Sequence, residues 1–179
     1  MDRMQEYMEL MEAIANRRSV RKYQEKDVAD EVVKKLLEVG NMAPSAGNLQ
    51  ARDFIVVRDK KTREALAKAA LNQEFVAEAP VDIVICTNEK KIKRYGSRGT
   101  TLYTYQDTAA SAMLIMLAAL EHGLGTCWVG AFDEEAVRRI LQIPEHARPV
   151  IIIPIGYPAE QPEMRKRAPI EEYLHQERW

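Results

Sequence analysis

The residues of this chain best suited to bind a ligand begin with the run Arg17-Arg18-Ser19-Val20-Arg21, here called the basic segment. Guanidinium groups bind phosphate through planar, bidentate hydrogen bonds, and a neighbouring serine adds a hydroxyl donor. A solvated basic turn after a helix has the same composition, because cations are also favourable near a helix C-terminus. The basic segment is therefore a candidate anion site with a purely structural alternative.

A second candidate is the run Pro44-Ser45-Ala46-Gly47-Asn48-Leu49-Gln50, here called the small-residue loop. Small residues let the backbone approach a planar ligand, while the polar side chains can hydrogen-bond the heteroatoms of a ring. The alternative is an ordinary connection between a helix and a strand. A third candidate, Arg165-Lys166-Arg167, offers a similar choice between an anion site and a solvated charge run.

The composition excludes several classes of function. With 179 residues, 46% of them hydrophobic and 30% charged, the chain is expected to form one globular domain over residues 1–179. The 26 basic and 27 acidic side chains nearly cancel, so no overall field attracts nucleic acid or a membrane surface. An anion site must therefore come from local clustering.

Targeting and metal-binding patterns are not evident in the sequence. Acidic residues interrupt the N-terminal stretch, which argues against a signal peptide, and the three histidines are scattered outside any metal-ligand pattern. Cys86 and Cys127 form no Cys-x-x-Cys pair and lie in apolar runs. We expect both thiols to be reduced and buried in a cytoplasmic protein that holds no metal.

Hydrophobic periodicity predicts the elements that position these candidates. The first expected helix ends near Ala15 and has Met4, Tyr7, Met8, Met11 and Ile14 as its apolar face. Four more helices are expected: one from an N-cap at Asp27 to about Gly40, one over residues 62–70, one over residues 108–120, and one from an N-cap at Asp133 to about Leu141. The expected strands are residues 54–57, 81–86, 126–130 and 149–156, and residues 90–101 form an exposed excursion. Since helices outnumber strands and do not alternate strictly with them, the pattern favours an α+β fold.

The helix that follows Asp107 is apolar on nearly every side, from Thr108 to Leu120. Such a helix must be covered all round, and a chain of this length offers little interior for it. A second copy of the chain would supply the missing cover, so the sequence predicts an obligate homodimer. Residues 160–179 are expected to extend over a surface or over the partner.

Together these segments resemble the FMN-dependent nitroreductase family over nearly the whole chain. That family has an Arg-x-Ser-x-Arg/Lys segment after the first helix, a Pro-Ser-x-x-Asn-x-Gln loop after the second, a Lys/Arg-x-Arg segment near the C-terminus, and a buried helix like the one at Asp107. The resemblance implies an α+β, nitroreductase-like fold: a central, mostly antiparallel sheet flanked by helices, in an obligate homodimer with a C-terminal extension. One departure is Ala51-Arg52, where the family commonly has Pro-Trp, and it is expected to alter the pocket wall and the substrate range.

The resemblance also implies how FMN is held. The basic segment and the C-terminal arginines would contact the phosphate, the ribityl chain and the pyrimidine side of the flavin, while the small-residue loop would come from the other subunit. An asparagine would reach the flavin ring, and main-chain amides after the third strand would reach N5 or the ring edge. The implied FMN-binding residues are Arg17, Arg18, Ser19, Arg21, Pro44, Ser45, Ala46, Asn48, Gln50, Asn72, Trp128, Val129, Gly130, Arg165 and Arg167.

The implied activity is that of an NAD(P)H-dependent FMN reductase of nitroreductase type. Bound FMN would take a hydride from NADH or NADPH and pass electrons to a nitroaromatic, quinone or flavin acceptor in ping-pong turnover, with no side chain acting as nucleophile or metal ligand. Arg18 or Arg21 would stabilise negative charge on the reduced ring. Two alternatives are open: a flavin-fragmenting or dehalogenating enzyme on the same fold, or an FMN-binding module without turnover.

Overall fold

A four-stranded antiparallel sheet lies at the centre of the computed structural model, which describes residues 8–179. The strands are β1 (Arg52–Val57), β2 (Val81–Asn88), β3 (Gly125–Thr126) and β4 (Ala147–Gly156), in the spatial order β1-β2-β4-β3. The two central strands carry the β-branched runs of the sequence, as their burial requires. The prediction of an α+β fold with an antiparallel sheet flanked by helices is confirmed.

Helices cover both faces of this sheet. They are α1 (Leu10–Asn16), α2 (Asp30–Asn41), α3 (Lys60–Ala69), α4 (Phe75–Glu78), α5 (Glu89–Ile92), α6 (Gly96–Arg98), α7 (Thr104–Glu121) and α8 (Glu134–Leu141). Single turns of 3-10 helix add Ala46–Asn48, Lys93–Tyr95 and Ile170–Glu172, and a π-helical turn adds Gly99–Tyr103. No helix within residues 8–179 is long and apolar enough to cross a membrane.

Strand β2 shows how the core is divided. Alternate side chains of a strand point to opposite faces. Ile83 and Ile85 pack with the buried sides of α2 and α7, whereas Val84 and Cys86 pack with α3 and α8. This two-sided cover explains why all eight residues of β2 are buried. Cys86 and Cys127 are both buried free thiols, as expected.

Two local predictions were wrong because contacts with residues distant in the sequence overrode the local pattern. Helix α2 begins at Asp30 after Ala29, so Asp27 is not its N-cap. Asp27 instead accepts a hydrogen bond from Arg58 Nη1 (3.0 Å), whose Nη2 lies 2.8 Å from Asp30 Oδ1. The strand expected over residues 126–130 shortens to β3, followed by an isolated pairing of Val129 with Ile152. Asp133, by contrast, caps α8 as predicted and accepts from Ala136 N–H.

Helix α7 runs over the predicted residues, but it is not covered on every side within one chain. Met113 is 38% exposed, and several of its other apolar side chains are only half-buried. Helix α1 likewise exposes Met11 and Ile14, while Met4 and Tyr7 lie outside the described residues. The homodimer that would cover these faces stays a prediction. The excursion after β2 is exposed as expected, yet it is built of short helical turns.

Candidate functional site

The basic segment lies along the outer edge of the sheet, beside β3. Ser19 pairs with Thr126 in a parallel bridge, and Val20 N–H donates to Thr126 O (3.0 Å). The Val20 side chain is buried over Gly125, where an added Cβ would lie 2.7 Å from Val20 Cγ2. Main-chain pairing and this close approach fix the backbone, so alternate side chains of the segment turn inward and outward.

Three polar side chains of the basic segment influence the electrostatics of the Cys127 thiol. Burial raises the pKa of Cys127, while the positive charges of Arg21 and Arg17 and a hydrogen bond with Ser19 oppose the shift. The bridge between Ser19 and Thr126 places the basic segment beside the end of β3, which is next to Cys127 in the sequence. This group, two guanidiniums and one hydroxyl, is the donor set that the chemistry of a phosphate requires.

Arg18 points away from this group. Its Nη1 donates to the main-chain oxygens of Ala15 (2.6 Å) and Arg17 (2.9 Å), at the C-terminal end of α1. This is the structural alternative for a cation that follows a helix. For Arg18 to reach a flavin, as the resemblance implies, both hydrogen bonds would have to break.

The turn that carries Asn72 lies next to the basic segment. The Arg21 guanidinium is 5.8 Å from the centre of the Phe75 ring. Asn72 itself is exposed and has a φ of 58°, a left-handed conformation that asparagine tolerates. The structure therefore brings Asn72 and Arg21, which are far apart in the sequence, to the same side of the molecule.

Residues 128–130 join this region through the same turn, because Gln73 Nε2 donates to Ala131 O (3.2 Å). Trp128 is 40% exposed, and Gly130 is also exposed. Val129 is buried, and its N–H donates to Ile152 O (2.9 Å). The sheet therefore uses the Val129 amide, whereas within residues 8–179 the amides of Trp128 and Gly130 keep no hydrogen-bond partner.

The small-residue loop is fixed by one buried carboxylate at the start of α7. Ala46 N–H donates to Asp107 Oδ1 (2.9 Å), and Ala51 N–H donates to Asp107 Oδ2 (3.3 Å). Within the loop, Gln50 N–H donates to Ser45 Oγ (2.9 Å) and its side chain donates to Asn48. Pro44, Gly47 and Asn48 remain exposed. No hydrogen bond or ion pair among residues 8–179 joins this loop to the basic segment.

The departure at residues 51–52 has a structural role. Ala51 is fully buried, and the Arg52 guanidinium is buried beneath the loop, where its Nη2 donates to the oxygens of Asn41 (3.0 Å) and Ala43 (3.2 Å). These carbonyls lie at the end of α2, which a cation stabilises. Burial lowers the pKa of Arg52, and the negative charge of Asp107 opposes that shift. Arg52 thus supports the loop from below and does not line an open pocket wall.

The C-terminal arginines are not brought to the basic segment in this single chain. Arg165 and Arg167 are exposed, and neither makes a hydrogen bond or ion pair within residues 8–179. Glu160 reaches the segment instead, since its Oε1 accepts from Arg21 N–H (2.6 Å). Glu160 and Asp107 were missed as site residues because their partners are 139 and 61 residues away. No local pattern in the sequence announces such contacts.

Comparison with known proteins assigns the fold to a family. A sequence model of the nitroreductase family matches residues 14–73 and 67–157, which together are most of the chain. A Methanothermobacter thermautotrophicus protein, provisionally named NADH dehydrogenase/NAD(P)H nitroreductase, is 36% identical over 176 residues, covering 96% of this chain and 88% of the relative. The chain therefore belongs to the nitroreductase family.

Two further relatives extend the likeness. The FMN reductase (NAD(P)H) of Bacillus subtilis is 26% identical over 183 residues, covering 94% of this chain and 74% of its own length. The structure of the NADPH:FMN oxidoreductase of Vibrio harveyi in complex with NAD+ has a TM-score of 0.89 at 26% identity, covering 95% of this chain and 77% of that one. Both relatives are named for reactions between nicotinamide nucleotides and flavin.

Proposed function

We propose that this chain, a nitroreductase-type oxidoreductase by family, binds FMN and uses it to oxidise NADH or NADPH. The observation that carries the proposal is the convergence of three distant segments at the β3 edge: the basic segment, the turn with Asn72, and residues 128–130. Their donors match the parts of FMN in order, with cations for a phosphate and amides for the ring.

Each group of residues has a distinct role in this proposal. Arg17, Ser19 and Arg21 hold the phosphate and ribityl chain, while Asn72 and the amides of Trp128 and Gly130 orient the ring. Bound FMN would supply the redox chemistry, taking a hydride from the nicotinamide and passing electrons to a nitroaromatic, quinone or flavin acceptor in ping-pong turnover. No side chain needs to act as nucleophile. Cys127 is buried with a raised pKa, which disfavours a reactive thiolate.

The complete site is proposed to form in a homodimer. In the single chain the small-residue loop makes no hydrogen bond to the basic segment, and apolar side chains of α1 and α7 are exposed. A partner would cover these faces and place its own small-residue loop and C-terminal arginines over the flavin. The whole chain, residues 1–179, would act as one domain in the cytoplasm, and the buried free thiols support a reducing compartment.

One spectrum of the purified protein tests the central claim. We expect flavin absorption in the purified protein or after addition of FMN, and bleaching when NADH or NADPH is added without oxygen. A protein that takes up no FMN would overturn the proposal. Uptake without NAD(P)H oxidation would indicate a binding module, and cleaved flavin or released halide would indicate the fragmenting or dehalogenating alternatives.

A further inference from the structure

An arginine–tyrosine cluster stands on the exposed excursion between β2 and α7. The cluster consists of Arg94, Tyr95, Arg98 and Tyr103, and it is here called the Arg–Tyr platform. Residues 90–98 hold five basic side chains and no acidic one, in a chain whose net charge is −1. Lys91 pairs with Asp53 (2.6 Å), but within residues 8–179 neither arginine of the platform has an ion-pair partner. The platform is therefore a concentrated, uncompensated positive charge.

The side chains of the platform hold one another in place. The Arg94 guanidinium lies 4.9 Å from the centre of the Tyr95 ring, and that of Arg98 lies 5.5 Å from the centre of the Tyr103 ring. Arg98 Nε also donates to Tyr103 Oη (3.0 Å). The two tyrosine rings meet edge to face at 5.5 Å and 85°. Such cation–π and aromatic pairs reduce the freedom of long side chains before any ligand arrives.

The base of the platform is anchored in the protein. Ile92 is fully buried, and Gly99 is packed against it, with an added Cβ 3.0 Å from Ile92 Cγ1. The outer surface remains accessible, since Arg94, Tyr95 and Arg98 are exposed. Each guanidinium has five N–H donors, and the contacts described use only part of them. The remaining donors face solvent in a fixed arrangement.

The platform also touches the small-residue loop. Arg94 Nη2 donates to Gly47 O (3.0 Å), and the ends of the Arg94 and Tyr95 side chains occupy the space where a Cβ on Gly47 would lie. Gly47 has a φ of 54°, a left-handed conformation that glycine adopts without strain. The Arg–Tyr platform is thus hydrogen-bonded to the small-residue loop, which the proposed function places at the flavin.

We infer that the Arg–Tyr platform binds the diphosphate of the nicotinamide nucleotide, with its adenine over an exposed tyrosine ring. The inference rests on the proposed function and adds a residue set that recognises the hydride donor. Paired guanidiniums bind diphosphate oxygens through charge-assisted hydrogen bonds, and an aromatic face accepts a base by stacking. Nitroaromatic and quinone acceptors have no diphosphate for the platform to bind.

The experiment compares Arg94→Gln and Arg98→Gln with Arg139→Gln, a matched loss of an exposed arginine on α8. ADP-ribose, which carries the diphosphate without the nicotinamide, is titrated by calorimetry. We expect each platform variant to raise its Kd about tenfold, the effect of one charge-assisted contact, and the control to leave it unchanged. Unchanged Kd values in both platform variants would overturn the inference.

Steady-state kinetics give a second readout. The KM for NADH or NADPH should rise in the platform variants, whereas turnover with reduced nicotinamide riboside, which has no phosphate, should match the parent enzyme. Equal losses with both donors would mean that the platform only supports the small-residue loop, and the inference would fall. Arg98 makes no hydrogen bond to that loop within residues 8–179, so its variant separates the two explanations. Because ADP-ribose binding needs no turnover, a flavin-free protein would refute the proposed function while still testing the platform.

Discussion

The basic segment and the small-residue loop are fixed in different ways, although both are expected to contact the flavin. The basic segment pairs with β3 through main-chain groups, while the Val20 side chain packs over Gly125 and that of Arg18 bonds to the end of α1. Within residues 8–179 the loop pairs with no strand, and buried side chains hold it: Asp107 accepts from its backbone, and Arg52 supports it from below. Main-chain pairing leaves side chains available for a ligand, whereas a loop held by side chains concentrates its stability in those residues.

Asp107 and Asp82 are both buried aspartates, and they differ in their partners. Asp107 accepts two main-chain hydrogen bonds beside buried Arg52. Asp82, in β2, is fully buried, and both of its carboxylate oxygens lack a hydrogen-bond partner among residues 8–179. Buried carboxylates without partners are costly when charged. Asp107 should therefore stabilise the fold, and Asp82 should reduce its stability as it ionises.

Replacing Asp107 with alanine is expected to have the largest effect. The change removes two hydrogen bonds to a buried charge and leaves Arg52 without the anion that offsets it. Hydrogen bonds to charged groups contribute about 1.5–3 kcal/mol each, so we expect the free energy of unfolding to fall by about 3 kcal/mol. Urea denaturation measures this. Asp133→Ala, which removes an exposed N-cap, should cost only about 1 kcal/mol, and equal losses would contradict the special role of Asp107.

Arg17→Ala should weaken FMN retention by about thirtyfold, or ~2 kcal/mol, because a charge-assisted phosphate contact is lost. Arg18→Ala is the matched comparison, since Arg18 caps α1 in this structure. We expect its FMN affinity to stay near that of the parent. Fluorescence titration of the flavin-free proteins gives both values. Full flavin occupancy in Arg17→Ala would show that the assignment of Arg17 is wrong.

Gly125→Ala tests whether the backbone contact positions the basic segment. The new Cβ would lie 2.7 Å from Val20 Cγ2, so the segment must shift. We expect a loss of about 2 kcal/mol in stability, as for other overpacked sites, together with weaker FMN binding. Gly130→Ala is the control, because its Cβ would meet Trp128 Nε1 at an ordinary 3.6 Å. Thermal denaturation should separate the two, and similar melting temperatures would refute the contact.

Asp82→Asn should have its smallest effect at low pH, and the effect should grow as pH rises. Burial raises the pKa of Asp82 well above its ordinary value, while Arg63 opposes the shift. A raised folded-state pKa gives stability that is complete below the unfolded pKa of about 3.9 and lost as pH rises through the folded pKa. The variant should therefore become increasingly more stable than the parent as pH rises above the unfolded pKa of about 3.9.

Asp59→Asn is the control of opposite sign. Hydrogen bonds from Thr62 lower the pKa of Asp59, so its contribution to stability is present above the unfolded pKa and lost as pH falls. Urea midpoints at three pH values would distinguish the two trends. A difference between Asp82→Asn and the parent that does not vary with pH would show that Asp82 does not titrate in this range.

Elements with strong local patterns were predictable. The β-branched runs predicted the two central strands, and Asp133 predicted the start of α8. The start of α2 was not predictable, because Arg58 engages both Asp27 and Asp30 across the fold. Strand β3 is short because Val129 pairs alone with Ile152. Such contacts depend on groups distant in sequence, which periodicity does not record.

The sequence by itself determined the fold class and the candidate segments for flavin binding, since hydrophobic period, turn residues and charge clusters are local properties. Tertiary structure alone decided which of those side chains meet. In the fold, Arg18 bonds to the end of α1 and Val129 N–H donates to the sheet. Arg52 lies beneath the small-residue loop, and Arg94 donates to Gly47. The physical reason is that a side chain takes the partner its neighbours in space offer, and those neighbours come from other elements of the fold.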